Sequence, residues 1–277
     1  MAAAGGIAYP EPAGGGDLAW RGGPVPVVGR SVAALVTAFT LDGVDAAVDM
    51  GACSAELAAR GTVLLTHCHA DHVAGLVAWL SARTRRHAGG TVRVALPAER
   101  RETLLAALEA WPELEGVRRR CDLQAALIGV RPGDRVELDG GWAEALPARH
   151  GVPAVGWRVW RTGGTRAAVV FTGDGTVEPF RERPGLLEAE LAVVECTFLG
   201  PGERTAARWS GHAHLADWAE LAPDLPCGRL ALAHLPAGTG AAGLERVLAA
   251  WPPGAPPLVA WVSPPGRAPA AGGLPAR

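Results

Sequence analysis

The sequence predicts an α/β fold that gathers its chemistry along one edge of its β-sheets. Short apolar segments of strand length alternate with helical stretches through most of the chain. Five of those segments run into a side chain that can ligate a metal or move a proton. Segment 62–65 runs into Thr66–His72, 142–146 into His150, 167–171 into Asp174, 191–194 into Glu195 and 230–233 into His234. Strand ends are rigid and the loops beyond them exposed, so such repetition builds a site. With 277 residues, 49% hydrophobic and 19% charged, the chain can form one large core.

The densest of these stretches is THCHADH. It places His67, His69, Asp71 and His72 within six residues, after an apolar strand and before the helical pattern of 73–80. Imidazole and carboxylate suit zinc and related divalent metals. On an extended segment His67 and His69 project to the same side. Asp71 and His72 fall at the start of the helix and point to a neighbouring position. One loop can therefore serve two metals about 3.5–4 Å apart, the spacing of two-metal hydrolases. His150 would complete the first set with His67 and His69. His234 would complete the second with Asp71 and His72, and Asp174 has two oxygens with which to bridge them. Taken singly, His150 reads as a loop histidine, Asp174 as a turn aspartate and His234 as a core histidine. Beside THCHADH, and at strand ends, they read as ligands. Two divalent cations, zinc first and manganese or iron(II) also fitting, would bring a bound water's pKa towards neutrality.

In chain order, residues 1–23 are rich in Gly, Ala and Pro and are expected to form a loose lead-in. A single domain is expected over 24–263. It opens with a meander of segments 25–28, 33–40 and 46–49, with turns at Gly29-Arg30-Ser31 and Asp42-Gly43. A short helix is expected over 54–60, a helix over 73–83 and a strand over 92–96. The next helix should run from Pro97 to Trp111, with Pro112 just past its end. Strands follow at 123–130 and 134–138. Asp139-Gly140-Gly141 then makes a hairpin into 142–146. Further strands are 156–161, 167–171, 191–194 and 230–233, with helices at 213–222 and 240–251. Segment 258–262 reads as an edge strand or extended cover, and 264–277 as a loose tail.

A net charge of −2 with a pI near 6.5 is not that of a dedicated nucleic-acid binder, which carries a basic stripe. The two short basic clusters, Arg83–Arg86 with His87 and Arg118–Arg120, read as solvated helix faces. No apolar run is long enough to span a membrane, and the first residues lack a secretory pattern. Cys53, Cys68, Cys121, Cys196 and Cys227 form no CxxC pair and are odd in number, which predicts reduced thiols in a cytoplasmic protein.

THCHADH, an isolated His150, FTGD (171–174) and a late strand-end His234 together resemble the metallo-β-lactamase superfamily. That resemblance implies an αββα sandwich with a dinuclear metal site at the strand ends. More narrowly, the chain looks like the short form of ribonuclease Z, a tRNA 3′-processing endonuclease. RHGVPAVGWRV (149–159), AVVECTFL (192–199), SGHAHLADWAELA (210–222) and LALAHLPAGT (230–239) carry the narrower likeness. It implies that Asp71 is both a ligand and the general base. It also implies that His212 assists the departing 3′ oxygen, oriented by Glu195 in a charge-assisted pair. His214 competes with His212 for that role.

The chain also departs from the family. His150 and Asp174 are only 24 residues apart, mostly within strands, which leaves no room for a protruding tRNA-binding arm. Leu235-Pro236-Ala237-Gly238-Thr239 stands where the family has Phe-Ser-x-Arg-Tyr. The expected activity is a metal-dependent phosphodiesterase or endoribonuclease acting on a tRNA precursor or a small phosphodiester. The alternative is a hydrolase of the same fold acting on an ester, thioester, lactone or cyclic phosphodiester. A homodimer would let a partner copy supply the missing basic surface.

Overall fold

The structure, a computed structural model, describes residues 8–14, 17–86, 90–116 and 121–262. Its first half gives β1 (Glu11–Gly14), β2 (Asp17–Trp20), β3 (Val27–Val32), β4 (Val36–Leu41), β5 (Ala46–Val48), β6 (Thr62–Leu64), β7 (Arg93–Pro97) and β8 (Leu127–Val130). These pair in sequence order as one sheet. Among them lie α1 (Ala55–Ala58), α2 (Ala70–Val73), α3 (Leu76–Arg86), α4 (Arg101–Glu115) and α5 (Leu123–Ala126). The second half gives β9 (Arg135–Leu138), β10 (Gly141–Pro147), β11 (Val155–Arg161), β12 (Ala167–Phe171), β13 (Ala189–Glu195), β14 (Leu230–Ala233) and β15 (Leu258–Ala260). They form a second sheet, also in sequence order. Its helices are α6 (Glu178–Glu182), α7 (Arg204–Ser210), α8 (Leu215–Leu221) and α9 (Ala241–Ala250).

The two sheets pack face to face because their strands are apolar on both sides. In β13, Leu191 and Val193 enter the core between the sheets, while Ala192 and Val194 enter the core beneath the helices. In the first sheet Leu64 faces the inter-sheet core, and Val63 and Leu65 face α1, α3 and α4. Two-sided burial is what covered, largely parallel strands require. Phe39 meets both Phe171 and Trp261 across the middle, with ring centroids 5.2 Å apart in each pair. The result is four layers, α-β-β-α, as the resemblance implied.

Buried tryptophans tie the layers with their single donor. Trp157 of β11 donates to Leu65 O across the sandwich at 3.1 Å, fixing the backbone just before THCHADH. Trp261 donates to Gly29 O at 3.1 Å, and Trp218 of α8 to Glu195 O at 2.8 Å. Strands β5 to β8 run parallel, and so do β12 to β15. Parallel order brings the C-terminal ends of neighbouring strands to one edge, where the side chains past β5, β6, β12, β13 and β14 meet.

Several local expectations are corrected. Residues 11–14 and 17–20, expected within a loose lead-in, form β1 and β2 on the edge beside β3. Ala8 crosses to pair with Val259 of β15. Gly29-Arg30-Ser31 is not a turn but the middle of β3, and the chain reverses at Ala33–Leu35 instead, with Ala34 at φ 60. Segment 123–130 opens as α5 before extending into β8. Pro112 lies inside α4, not past its end. The helix forfeits one hydrogen bond there, continues for a turn and stops at Gly116, which is left-handed at φ 62. Arg83 is buried, not on a solvated face, and donates to Ala59 O and Thr91 O at 2.9 Å. Arg118–Arg120, His87 and the expected tail 264–277 lie outside the described residues.

Candidate metal centre

THCHADH leaves β6 as extended backbone and enters α2 with His69 at the N-cap, so the helix begins earlier than the spacing suggested. His67 and His72 are buried, Asp71 is half-buried and His69 faces solvent. Gly51 permits this placement: a Cβ there would lie 1.9 Å from the backbone oxygen of Asp71. Gly173 does the same for the FTGD turn. It is left-handed at φ 62, and a Cβ would meet Thr66 Cβ at 2.8 Å.

The structure brings together every residue the sequence nominated as a ligand. His67 Nε2 lies 3.0 Å from His69 Nδ1, and His150 Nε2 3.3 Å from the same atom. His234 Nε2 is 3.2 Å from Asp71 Oδ2, and His72 Nε2 3.6 Å from it. Asp174 sits between the groups. Its Oδ1 is 3.5 Å from His72 Nε2, and its Oδ2 is 3.8 Å from His67 Nε2 and 3.4 Å from His234 Nε2. His67, His69 and His150 form one set whose ligand atoms lie within 4.8 Å of one another; Asp71, His72 and His234 form another. Asp174 joins His67 and His72 in a third.

The outer nitrogens show that this donor set suits cations. His72 Nδ1 is 2.8 Å from Asp49 Oδ2, and His150 Nδ1 is 2.8 Å from Gly211 O. Carboxylate and carbonyl only accept, so each Nδ1 carries a proton, which leaves Nε2 as the ring atom that can be offered to a cation. His67 Nδ1 meets the Thr66 hydroxyl at 3.1 Å, and that hydroxyl also contacts both oxygens of Asp49. His234 Nδ1 meets the Thr197 hydroxyl at 3.0 Å. The inner His72 Nε2 is buried without a hydrogen-bond partner, which a protein tolerates where an ion is to bind.

The electrostatics agree. Burial and the charge of His72 push the His67 imidazole down to about 2. Burial disfavours charge on His72 too, but Asp49 and Asp174 outweigh it and raise its pKa well above the ordinary value. Burial works against ionisation of Asp71, yet the His234 hydrogen bond and the charges of His72 and His234 bring its carboxyl to about 2. Asp174 is held ionised by the same histidines against burial. Carboxylates that retain protons on their neighbours in this way would equally retain cations.

Beside the ligands lies a second device. His212 Nδ1 is 3.1 Å from Glu195 Oε1, and its ring is 5.0 Å from that of His150. Glu195 is buried and fixed by the backbone N–H groups of Ala213 at 2.7 Å, Thr197 at 2.9 Å and Gly175 at 3.2 Å. Burial lowers the proton affinity of His212, but Glu195, through its hydrogen bond and charge, raises it above the ordinary value. His214 is placed elsewhere. It caps α8, accepting from Ala216 N at 3.0 Å, and its Nε2 contacts Gly200 O at 2.9 Å.

Asp49 was not nominated. It ends β5, is buried and left-handed at φ 57, and holds both Thr66 and His72. The rule that singled out Asp174 and Glu195, a carboxylate where an apolar strand stops, picks it out as well.

Residues 45–235 match the sequence family described as the beta-lactamase superfamily domain. The chain belongs to the beta-lactamase superfamily. The superfamily's metallo-β-lactamase fold is that of metal-dependent hydrolases. A comparison with curated proteins finds no significant match. Among solved structures, the metallo-beta-lactamase fold protein YhfI from Bacillus subtilis aligns with TM-score 0.62 at 18% identity, over 85% of this chain and 95% of its own. Human tRNase Z, short form, aligns with TM-score 0.56 at 20% identity, over 84% and 91%. Zinc-bound PqqB from Methylobacterium extorquens aligns with TM-score 0.53 at 16% identity, over 83% and 86%. At these identities the likeness is one of superfamily fold.

Proposed function

We propose that the chain is a metal-dependent phosphodiesterase of the ribonuclease Z type, in which His67, His69 and His150, together with Asp71, His72 and His234 and with Asp174 between the two sets, would hold two divalent cations, zinc foremost. When bound, the cations lower the pKa of a water and offset the charge of a phosphate. Asp71 stays ionised at neutral pH and lies beside His72 and His234, where it can accept the water's proton. The observation that carries the reading furthest is the Glu195–His212 pair at 3.1 Å. A departing alkoxide needs a proton, and an imidazole kept charged by a fixed carboxylate can donate one. Glu195 is in this scheme a positioning residue, and His212 the donor.

A tRNA precursor or a smaller phosphodiester fits this chemistry. One observation favours a second reading, hydrolysis of a small ester, thioester, lactone or cyclic phosphodiester. Residues 162–166 between β11 and β12 make a short turn, so no arm protrudes there to grip a long RNA. The five cysteines are free thiols, which supports a reducing compartment such as the cytoplasm. Among the described residues no helix is long and apolar enough to cross a membrane.

The test is a substrate panel offered to zinc- or manganese-loaded protein: bis-p-nitrophenyl phosphate, a tRNA precursor with a 3′ trailer, and a set of thioesters and lactones. Turnover of phosphodiesters that disappears in Asp71→Asn is the expected result. Turnover of thioesters or lactones alone would overturn the phosphodiesterase reading.

A further inference from the structure

Trp209 is 87% exposed, more than any other large hydrophobic side chain among the described residues. It lies in the last turn of α7, whose single buried residue is Ala207, so the helix does not need Trp209 for packing. Tryptophan is enriched at contact surfaces, where one end of the ring system is apolar and the other wet. Its position says which one. His212 is three residues further along, within about 11 Å by covalent reach. The intervening backbone is pinned to the metal centre. Gly211 is left-handed at φ 74, its carbonyl accepts from His150 Nδ1 at 2.8 Å, and a Cβ there would lie 3.0 Å from Gly151 N. His212 N closes the turn on Ala207 O at 2.9 Å. The backbone of Trp209 is thus held within about 11 Å of His212 by the same segment that positions His212.

The neighbouring residue fits a phosphate-bearing ligand. Arg208 is more than half exposed and lies 3.6 Å from Asp217, a carboxylate it shares with Arg204 and Arg181. Glu220 and Glu178 join Asp217 in facing the cluster, and Arg149, next to His150, joins the arginines against Glu178, so four guanidiniums face three carboxylates. An exposed indole next to surplus positive charge is the pairing by which proteins hold single nucleotides, the ring stacking on the base and the arginine facing phosphate.

We propose that Trp209 is a specificity-determining residue whose indole stacks on a nucleobase of the substrate, beside the phosphodiester to be cleaved. This rests on the phosphodiesterase reading above and narrows it to substrates that carry a base.

Binding tests it without requiring turnover. Calorimetry on the zinc-loaded full chain compares adenosine 5′-monophosphate with ribose 5-phosphate, which lacks only the base. The wild type should prefer the nucleotide roughly tenfold, as base–aromatic stacking allows. Trp209→Ala should bring the two within about threefold, Trp209→Phe should keep most of the preference, and Trp111→Ala, at the exposed tryptophan of α4, should keep all of it. No preference in the wild type, or an undiminished one in Trp209→Ala, would overturn the inference. Alongside it, hydrolysis of thymidine 5′-p-nitrophenyl phosphate and methyl p-nitrophenyl phosphate tests the parent reading. A nucleotide preference lost in Trp209→Ala with neither ester hydrolysed supports Trp209 and counts against the phosphodiesterase. Both esters hydrolysed with no nucleotide preference does the reverse.

Discussion

His72 and Asp49 are 23 residues apart in sequence and 2.8 Å apart in space, Nδ1 to Oδ2, both almost fully buried. Asp49 directly follows β5, and His72 sits in α2 past the neighbouring parallel strand β6; the pair fixes which nitrogen of His72 faces the cluster. Asp49→Asn isolates the effect of charge, because asparagine also tolerates the left-handed backbone found there. We expect metal affinity about 10–100-fold weaker, read by competition with a chromogenic chelator, with the fold retained.

Removing His212 should separate chemistry from metal binding. His212→Ala is expected to slow turnover by about a hundredfold or more. Metal content by elemental analysis should stay near that of the wild type, because its ring bonds Glu195 rather than completing either three-residue ligand set of the proposed assignment. Loss of metal in this variant would make His212 a ligand.

The metal-free protein should weaken in mild acid. His67 is kept neutral in the fold, its pKa pushed down to about 2, whereas in the unfolded chain it titrates near 6.5. Above that pH its contribution is complete. Below it the unfolded chain takes up a proton that the folded one refuses, so stability falls as pH falls. One such group accounts for at most about 1.4 kcal/mol per pH unit. Urea titrations between pH 7.5 and 5 measure the slope, and His67→Gln should reduce it by that amount. Equal slopes would remove His67 as the cause.

Gly51→Ala should damage the centre from a distance. The added Cβ falls 1.9 Å from the Asp71 backbone oxygen, and backbone cannot swing aside as a side chain can. Displacement of α2 moves Asp71 and His72 together. The expected result is a stability loss of about 1–3 kcal/mol with a disproportionate loss of bound metal, by urea titration and elemental analysis.

What the sequence revealed followed from how local each signal is. THCHADH, the strand-end residues and the Asp139-Gly140 hairpin are signals carried by neighbouring residues; the hairpin forms, and the candidate ligands lie close together. Strands β1 and β2 were invisible because EPAG and DLAW have little β character of their own and are ordered by pairing along the edge at β3. The turn at Ala33–Leu35 was missed because Gly29 looks like a turn residue. It is in fact a strand glycine whose Cβ would collide with Ala38 O at 2.1 Å. Asp49 carries the same strand-end signal as Asp174, but its role as a support for His72 and Thr66 depends on sheet pairing, which local pattern does not encode. The choice between His212 and His214 needed the cap of α8 to be seen.

The centre draws on both halves of the chain. Asp49, THCHADH and Asp71 come from the first sheet and its helices, and His150, Asp174 and His234 from the second. Cations held there would act as a clasp between two halves that otherwise cohere through an apolar interface and a few hydrogen bonds across it. Binding energy at the centre would then also be cohesion energy for the whole sandwich, growing with the logarithm of free metal. Stripped of such cations, the protein would lose mechanical coherence along with whatever chemistry the centre performs.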